Sequence, residues 1–175
     1  MIRSKFGFNP WCWVFLIHLN NIGKVLSELG KKQEALALLT SILKEFEMPD
    51  LLKAHVLNNL GQVLSDLREF DEALDYLEQA LFIWEQENYL KGKVSSLNNI
   101  AYIHSCSGKS QEALDIYQEI LEIDKETEDL RGEGITLNNI GSIYFSLEDR
   151  ENARKFYEQA LVLHRSVGNK EMEAT

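Results

Sequence analysis

The sequence predicts an all-α fold, a solenoid of about four helix–turn–helix repeats. Three observations predict it. First, one block recurs: LNNIGKVLSELGKKQEAL from Leu19, LNNLGQVLSDLREFDEAL from Leu57, LNNIAYIHSCSGKSQEAL from Leu97 and LNNIGSIYFSLEDRENAR from Leu137, at spacings of 38, 40 and 40 residues. Self-similarity at such a period is the signature of a repeat architecture. Second, apolar residues inside the block follow helical spacing, as with Leu137, Ile140, Gly141 and Tyr144 at i, i+3, i+4 and i+7. Third, no proline occurs from residue 50 to residue 175, a stretch rich in Leu, Glu, Ala and Lys. These are strong helix formers, and β-branched residues never alternate over a strand-length run.

Each unit divides into helix A, a short turn and helix B. Turns are expected near residues 30–32, 68–70, 108–110 and 148–150. Gly30 and Gly108 suit a helix C-terminus, where the chain needs a left-handed residue. Asn9 and Pro10 read as a cap and first turn for the first helix, and Pro49 stands at the matching place before the second helix A. The organisation expected is an N-terminal extension over residues 1–9, repeats over 10–48, 49–88, 89–128 and 129–168, and the start of a truncated fifth repeat over 169–175. The chain is therefore expected to be a piece of a longer repeat protein. An exposed apolar stripe on the last helix, including Tyr157, Ala160 and Leu161, is the matching structural expectation. Trp11, Trp13 and Phe15 are too apolar for a solvated cap. They either cover the flank of the first repeat or mark where an upstream repeat packed.

Small residues recur where helices must approach closely: Gly23, Gly61, Ala101 and Gly141 in helix A, and Ala35, Ala73, Ala113 and Ala153 in helix B. With these positions fixed, the units resemble tetratricopeptide repeats. That family's leading bulky position falls on Leu19, Leu57, Leu97 and Leu137. Its mid-helix aromatic falls on Leu26, Leu64, His104 and Tyr144, and its large helix-B position on Leu39, Leu77, Tyr117 and Tyr157. Its second small helix-B position falls on Ile42, Ala80, Ile120 and Ala160, so two isoleucines depart from the pattern. The 40-residue spacing is similar to the long form found in kinesin light chain and bacterial arrays.

The resemblance implies a right-handed α–α superhelix with helix A on the concave side. It also implies a protein- or peptide-binding module. Groove positions are then Asn20, Asn21, Lys24, Ser27 and Glu28; Asn58, Asn59, Gln62, Ser65 and Asp66; Asn98, Asn99, Tyr102, Ser105 and Cys106; and Asn138, Asn139, Ser142, Phe145 and Ser146. Two readings of the repeated asparagines stand side by side. Their amides offer both donors and an acceptor, so they can clamp the backbone of a bound segment, or they can tie neighbouring helices together. The charges on this face, Lys24, Glu28 and Asp66, leave it nearly neutral. Repeats that grip acidic chaperone tails carry lysine and arginine where this chain has Asn58, Gln62, Asn98 and Tyr102, so that partner is not expected. Tyr102 and Phe145 are the aromatic candidates for anchoring a partner.

Other functions find little support. The formal net charge of −10 disfavours nucleic acid, which needs a basic patch, and anionic membrane surfaces. The run Trp11-Cys12-Trp13-Val14-Phe15-Leu16-Ile17 is far short of the ~20 residues of a membrane span. It follows a basic start but precedes no small-residue cleavage site. Cys12 and Cys106 lack metal-ligand spacing and read as thiols of a reducing, cytoplasmic setting. His104 and Cys106, two apart on a helix, face different ways and make a poor base and nucleophile. No catalytic residue, cofactor or metal site is expected. The alternative function is a structural scaffold or regulatory arm that associates through uncapped repeat ends.

Overall fold

The computed structural model describes residues 10–173, with side chains described for residues 12–168. Asn9, expected to cap the first helix, lies outside the described residues, as does the side chain of Trp11. The elements are α1 (Pro10–Glu28), α2 (Lys32–Glu45), α3 (Asp50–Asp66), α4 (Phe70–Gln86), α5 (Leu90–Cys106), α6 (Ser110–Glu126), α7 (Leu130–Ser146) and α8 (Arg150–Glu173). No strand occurs among the described residues. The fold is thus all-α and built of helix pairs. The chain forms two compact units, Met1–Asn99 and Ile100–Thr175, divided within α5.

Six of the seven connections use one device. A single residue takes a left-handed backbone, and the two N–H groups there reach back to carbonyls of the last helical turn. Within repeats these residues are Gly30 (φ 79°), Arg68 (69°), Gly108 (77°) and Glu148 (61°); between repeats they are Asn88 (51°) and Glu128 (55°). At the first, Gly30 N–H donates to Ser27 O and Lys31 N–H to Leu26 O, and Arg68 and Glu69 repeat this onto Ser65 and Leu64. The exception explains the 38-residue first spacing. Helix α2 has 14 residues where α4 and α6 have 17. It ends on extended Phe46 (φ −120°, ψ 135°), and Pro49 occupies the N-cap of α3 rather than its first turn.

The small helix-A positions lie under the large helix-B side chains, as the register requires. A Cβ added at Gly61 would stand 2.5 Å from Leu77 Cγ; at Gly23 it would meet Leu39 Cδ2 at 2.7 Å, and at Gly141 Tyr157 Cε1 at 2.8 Å. Ile42 and Ile120, the departures from the family's small residue, are fully buried like Ala80. There the shape tolerates a branched chain. Leu16, Leu39, Ile42, Val56, Leu60 and Val63 belong to one cluster that joins α1, α2 and α3.

Two inter-repeat joints share a plan and differ in chemistry. Trp84 of α4 lies against Gly92, where a Cβ would be 2.4 Å from its ring, and its Nε1 donates to Ser96 Oγ at 3.1 Å. Forty residues on, Asp124 of α6 lies against Gly132, and Thr136 Oγ1 donates to Asp124 Oδ2 at 3.0 Å. A buried carboxyl thus replaces a buried indole. Burial pushes the Asp124 carboxyl above its ordinary value; the Thr136 hydrogen bond opposes this, while Asp129 and Glu133 reinforce it.

One expectation needs correction. Of the apolar stripe expected on the last helix, Leu161 is exposed, but Tyr157 is half-buried over Gly141 and Ala160 is buried. Helix α8 runs to Glu173. Gly168 stands at the register of Asn88 and Glu128, but its backbone stays helical and nothing would approach its Cβ within 4 Å.

Three outcomes follow from the packing. Gly61→Leu should destabilise the fold by roughly 1–3 kcal/mol through overpacking, seen as a lower urea midpoint. Arg68→Gly and Glu148→Gly should each stabilise it by roughly 0.5–1 kcal/mol. The left-handed Cβ clash they relieve costs about 1–2 kcal/mol, and the added freedom of the unfolded chain takes back part. A fall in melting temperature on either change would show that the side chain makes contacts worth more than the clash. The third concerns pH. The native carboxyl of Asp124 keeps its proton where the unfolded chain, titrating near 4, has released it. Its contribution is therefore fully present below about pH 4 and lost as pH rises through the higher native value. Asp124→Asn can still accept from Thr136. Relative to that variant, the parent should gain stability on acidification from pH 7 towards pH 4.5; parallel urea-unfolding curves at the two pH values would exclude the linkage.

Candidate functional site

The side chains singled out by the repeat divide into two groups. In the unit Met1–Asn99, Asn21, Lys24 and Gln62 are exposed, whereas Asn20, Asn58 and Ser65 are buried. Helical geometry makes the division. Asn20 and Asn58 follow the leading leucine and turn towards the next helix A, while the residues after them rotate outwards by about 100°. Ser65 lies at the end of α3 with its hydroxyl buried and without a hydrogen-bond partner.

The buried asparagines form a ladder. Asn59 Nδ2 donates to Asn20 Oδ1 at 2.9 Å, and Asn99 Nδ2 donates to Asn58 Oδ1 at 3.3 Å. The second asparagine of one repeat therefore bonds to the first asparagine of the repeat before. Asn58 Oδ1 also accepts from Ser96 Oγ at 3.0 Å, and Asn58 Nδ2 donates to Ser95 Oγ at 3.3 Å. Through Ser96 the chain reaches the Trp84 indole, so a buried amide, two hydroxyls and an indole are all paired. Asn98 differs: its Nδ2 donates to Val94 O of its own helix at 3.0 Å. Ser95, Ser96 and Trp84 lie outside the recurring block, so comparison of repeats did not bring them forward. The only available signal was the indole N–H, which needs a partner when buried.

In the unit Ile100–Thr175 the outward side chains are Tyr102, Asn138, Ser142 and Phe145, all exposed, with Asn139 half-buried. Ser142 is held in place: its hydroxyl donates to Asn138 O at 3.1 Å and accepts from Tyr157 Oη at 3.1 Å. Below this face Tyr117 is buried, and its phenol is pushed up to about 12 by burial, with Cys106 and Tyr102 adding in the same direction. It stays neutral at physiological pH and works as packing.

His55 packs edge-on against Trp84 at 4.8 Å between ring centroids, and burial lowers its pKa below the usual histidine value. Its neighbours are rings rather than a nucleophile. Cys12 and Cys106 are free thiols. Among the described residues, no three His, Cys, Asp or Glu side chains are grouped to hold a metal ion, and no helix is long and apolar enough to cross a membrane.

Comparison with known proteins bears on the family and the fold. A family profile described as tetratricopeptide repeat matches residues 52–126 and 92–166, and a second of the same description matches residues 16–43. No curated protein matches the chain by sequence. Among solved structures, the chain is similar to aspartyl phosphate phosphatase F from Bacillus subtilis (TM-score 0.78, 13% identity), covering 87% of this chain and 41% of that one. It is also similar to a Rap protein complexed with competence and sporulation factor (TM-score 0.76, 18% identity, 85% of this chain and 42% of that one). A third is the kinesin light chain of Podosopora anserina with nearly identical repeats (TM-score 0.72, 16% identity, 95% and 81%). The chain thus spans less than half the length of the first two. Identities this low show the fold alone, an α–α superhelix. The profile matches extend over most of the sequence, and on them this chain belongs to the tetratricopeptide repeat family.

Proposed function

We propose that the chain is a protein-interaction module that binds a segment of a partner protein on the outward face of its A helices. The family is generally a non-catalytic interaction scaffold, and the similar Rap protein was solved with a bound factor. The observation that supports the finer reading is the set of outward A-helix side chains in each unit. In one unit it presents Lys24, Gln62 and the half-buried Asn59 and Asn99; in the other it presents Tyr102, Ser142 and Phe145. Asn59 and Asn99 each commit an amide N–H to the ladder. Their carbonyl oxygens remain to accept from a partner's backbone. Such an amide reads backbone rather than side-chain identity. The aromatic pair supplies the apolar area in which binding energy concentrates.

The net charge of −10 supports a protein rather than a nucleic acid as partner. The free thiols of Cys12 and Cys106 fit a cytoplasmic setting. A structural or regulatory role within a larger assembly is the second reading, favoured by apolar residues exposed on α1.

The proposal is tested with segments selected against the purified chain from a random peptide display. Lys24→Glu, Gln62→Glu and Tyr102→Ala change exposed positions and should leave helicity intact. Together they should weaken the selected segments at least tenfold, since one aromatic anchor alone is worth about 1–2 kcal/mol or more. Equal affinity of parent and triple variant would remove the strip from consideration.

A further inference from the structure

Helix α1 exposes a face that α3 buries. In α3, Leu52, Val56, Leu60 and Val63 pack in the cluster with Ala35, Leu39 and Ile42 of α2. The residues 38 positions earlier are Val14, His18, Ile22 and Val25, all exposed. Leu60 is 0% exposed and Ile22 49%; Val63 is 1% and Val25 49%. The A-helix face made to receive a preceding B helix is present in α1, apolar, and uncovered among the described residues.

Helix α8 exposes the reciprocal face. In α6, Leu121 is 3% exposed, and Asp124, which accepts from Thr136 of α7, is buried. Forty residues on, Leu161 is 48% exposed and His164 is exposed. An apolar trough of about 390 Å³ runs along this side, floored by Phe145, Ala153, Tyr157 and Leu161 and edged by Arg150, Arg154 and Glu158.

We infer that these two faces are made for each other: α1 of one copy docks on α8 of a second copy, head to tail. Continuity with the internal joints is the first argument, since the docking would repeat between chains the contact of α3 on α2. Charge is the second. The α2–α3 joint carries Lys32 at the start of α2, whose Nζ lies 4.0 Å from Asp66 Oδ2 and donates to Asp66 O at 3.1 Å. At the same registers, the open faces carry Arg150 at the start of α8 and Glu28 at the end of α1. A basic and an acidic residue thus recur, oriented as in the joint already made. The contact is heterologous, joining unlike faces of two copies, so it builds rings or open filaments.

The test uses light scattering and sedimentation over a concentration series. The parent chain should show a weight-average mass that rises with concentration above that of the monomer. Ile22→Glu with Val25→Glu blocks the head, and Leu161→Glu blocks the tail. Both change exposed positions, so circular dichroism should match the parent, and each should be monomeric. Mixed in equal amounts they should form a 1:1 dimer and nothing larger, because one live head meets one live tail. Glu28→Arg should weaken assembly at least threefold, and its mixture with Arg150→Glu should recover part of the loss. A parent monomeric up to its solubility limit, blocked variants that still assemble, or a mixture that stays monomeric would each overturn the proposal.

Discussion

The A and B helices of a repeat can lie against each other because one side of the contact carries almost no side chain. Gly61 sits under Leu77 so closely that even a methyl group would overlap it, and Gly23 and Gly141 do the same under Leu39 and Tyr157. Interiors are close-packed and have no slack to absorb an extra carbon. The approach sets where helix B lies, and that in turn sets which of its residues reach the next helix A. Ala80 and Trp84 then pack with Ala54 and Leu57, and the Trp84 ring fills the space left by Gly92. Each joint thus depends on the one before, as expected of a solenoid whose repeats touch only their neighbours.

Apolar packing of this kind is tolerant of small slips, and the buried polar groups remove the tolerance. Asn58 spends its carbonyl on Ser96 and Asn99 and its amide on Ser95. A shift of one residue in the stacking would leave that amide unpaired, at a cost of about 1–3 kcal/mol. The net gain from a made bond is smaller, about 1 kcal/mol, so the ladder contributes more to register than to stability. Asp124 with Thr136 makes the same choice at greater expense, since burial holds its carboxyl in the less soluble, protonated direction. The two joints show one geometric slot filled by an indole and by a carboxyl, each with a hydroxyl donor or acceptor four residues past its glycine.

The helix pairs, their turns and the close-packed positions were legible in the sequence because all three repeat. A glycine at 30 and 108 announces a left-handed turn; Arg68 and Glu148 hide the same turn behind side chains, and only the shared register gives it away. The shortened α2 was visible as a 38-residue spacing, but its cause, extended backbone from Phe46 to the Pro49 cap, was not. At the candidate site the repeat was a poorer guide. It placed Asn20, Asn58 and Ser65 on the same face as Lys24 and Gln62, although burial separates them. Sequence identity across repeats does not distinguish a residue kept for stacking from one kept for a partner. Ser95 and Ser96, which pair with Asn58, lie outside the recurring block.

The same limit explains why the ends matter. An A-helix position such as 22, 60, 100 or 140 is apolar in every repeat, and the pattern reads as core throughout. Ile100 and Ile140 are buried like Leu60, while Ile22 is half in solvent. What differs is the neighbour, and a repeat's own sequence does not specify its neighbour. Nearest-neighbour energetics then give the exposed faces a thermodynamic role. Among the described residues α1 and α8 each leave an apolar face uncovered, and anything that covers such a face stabilises the repeat it touches by its own binding free energy. A partner that docked on α1 or α8 would therefore do two things at once: extend the stack and order the repeat it touches. Binding on the outward strip of the A helices depends on how firmly those helices are held.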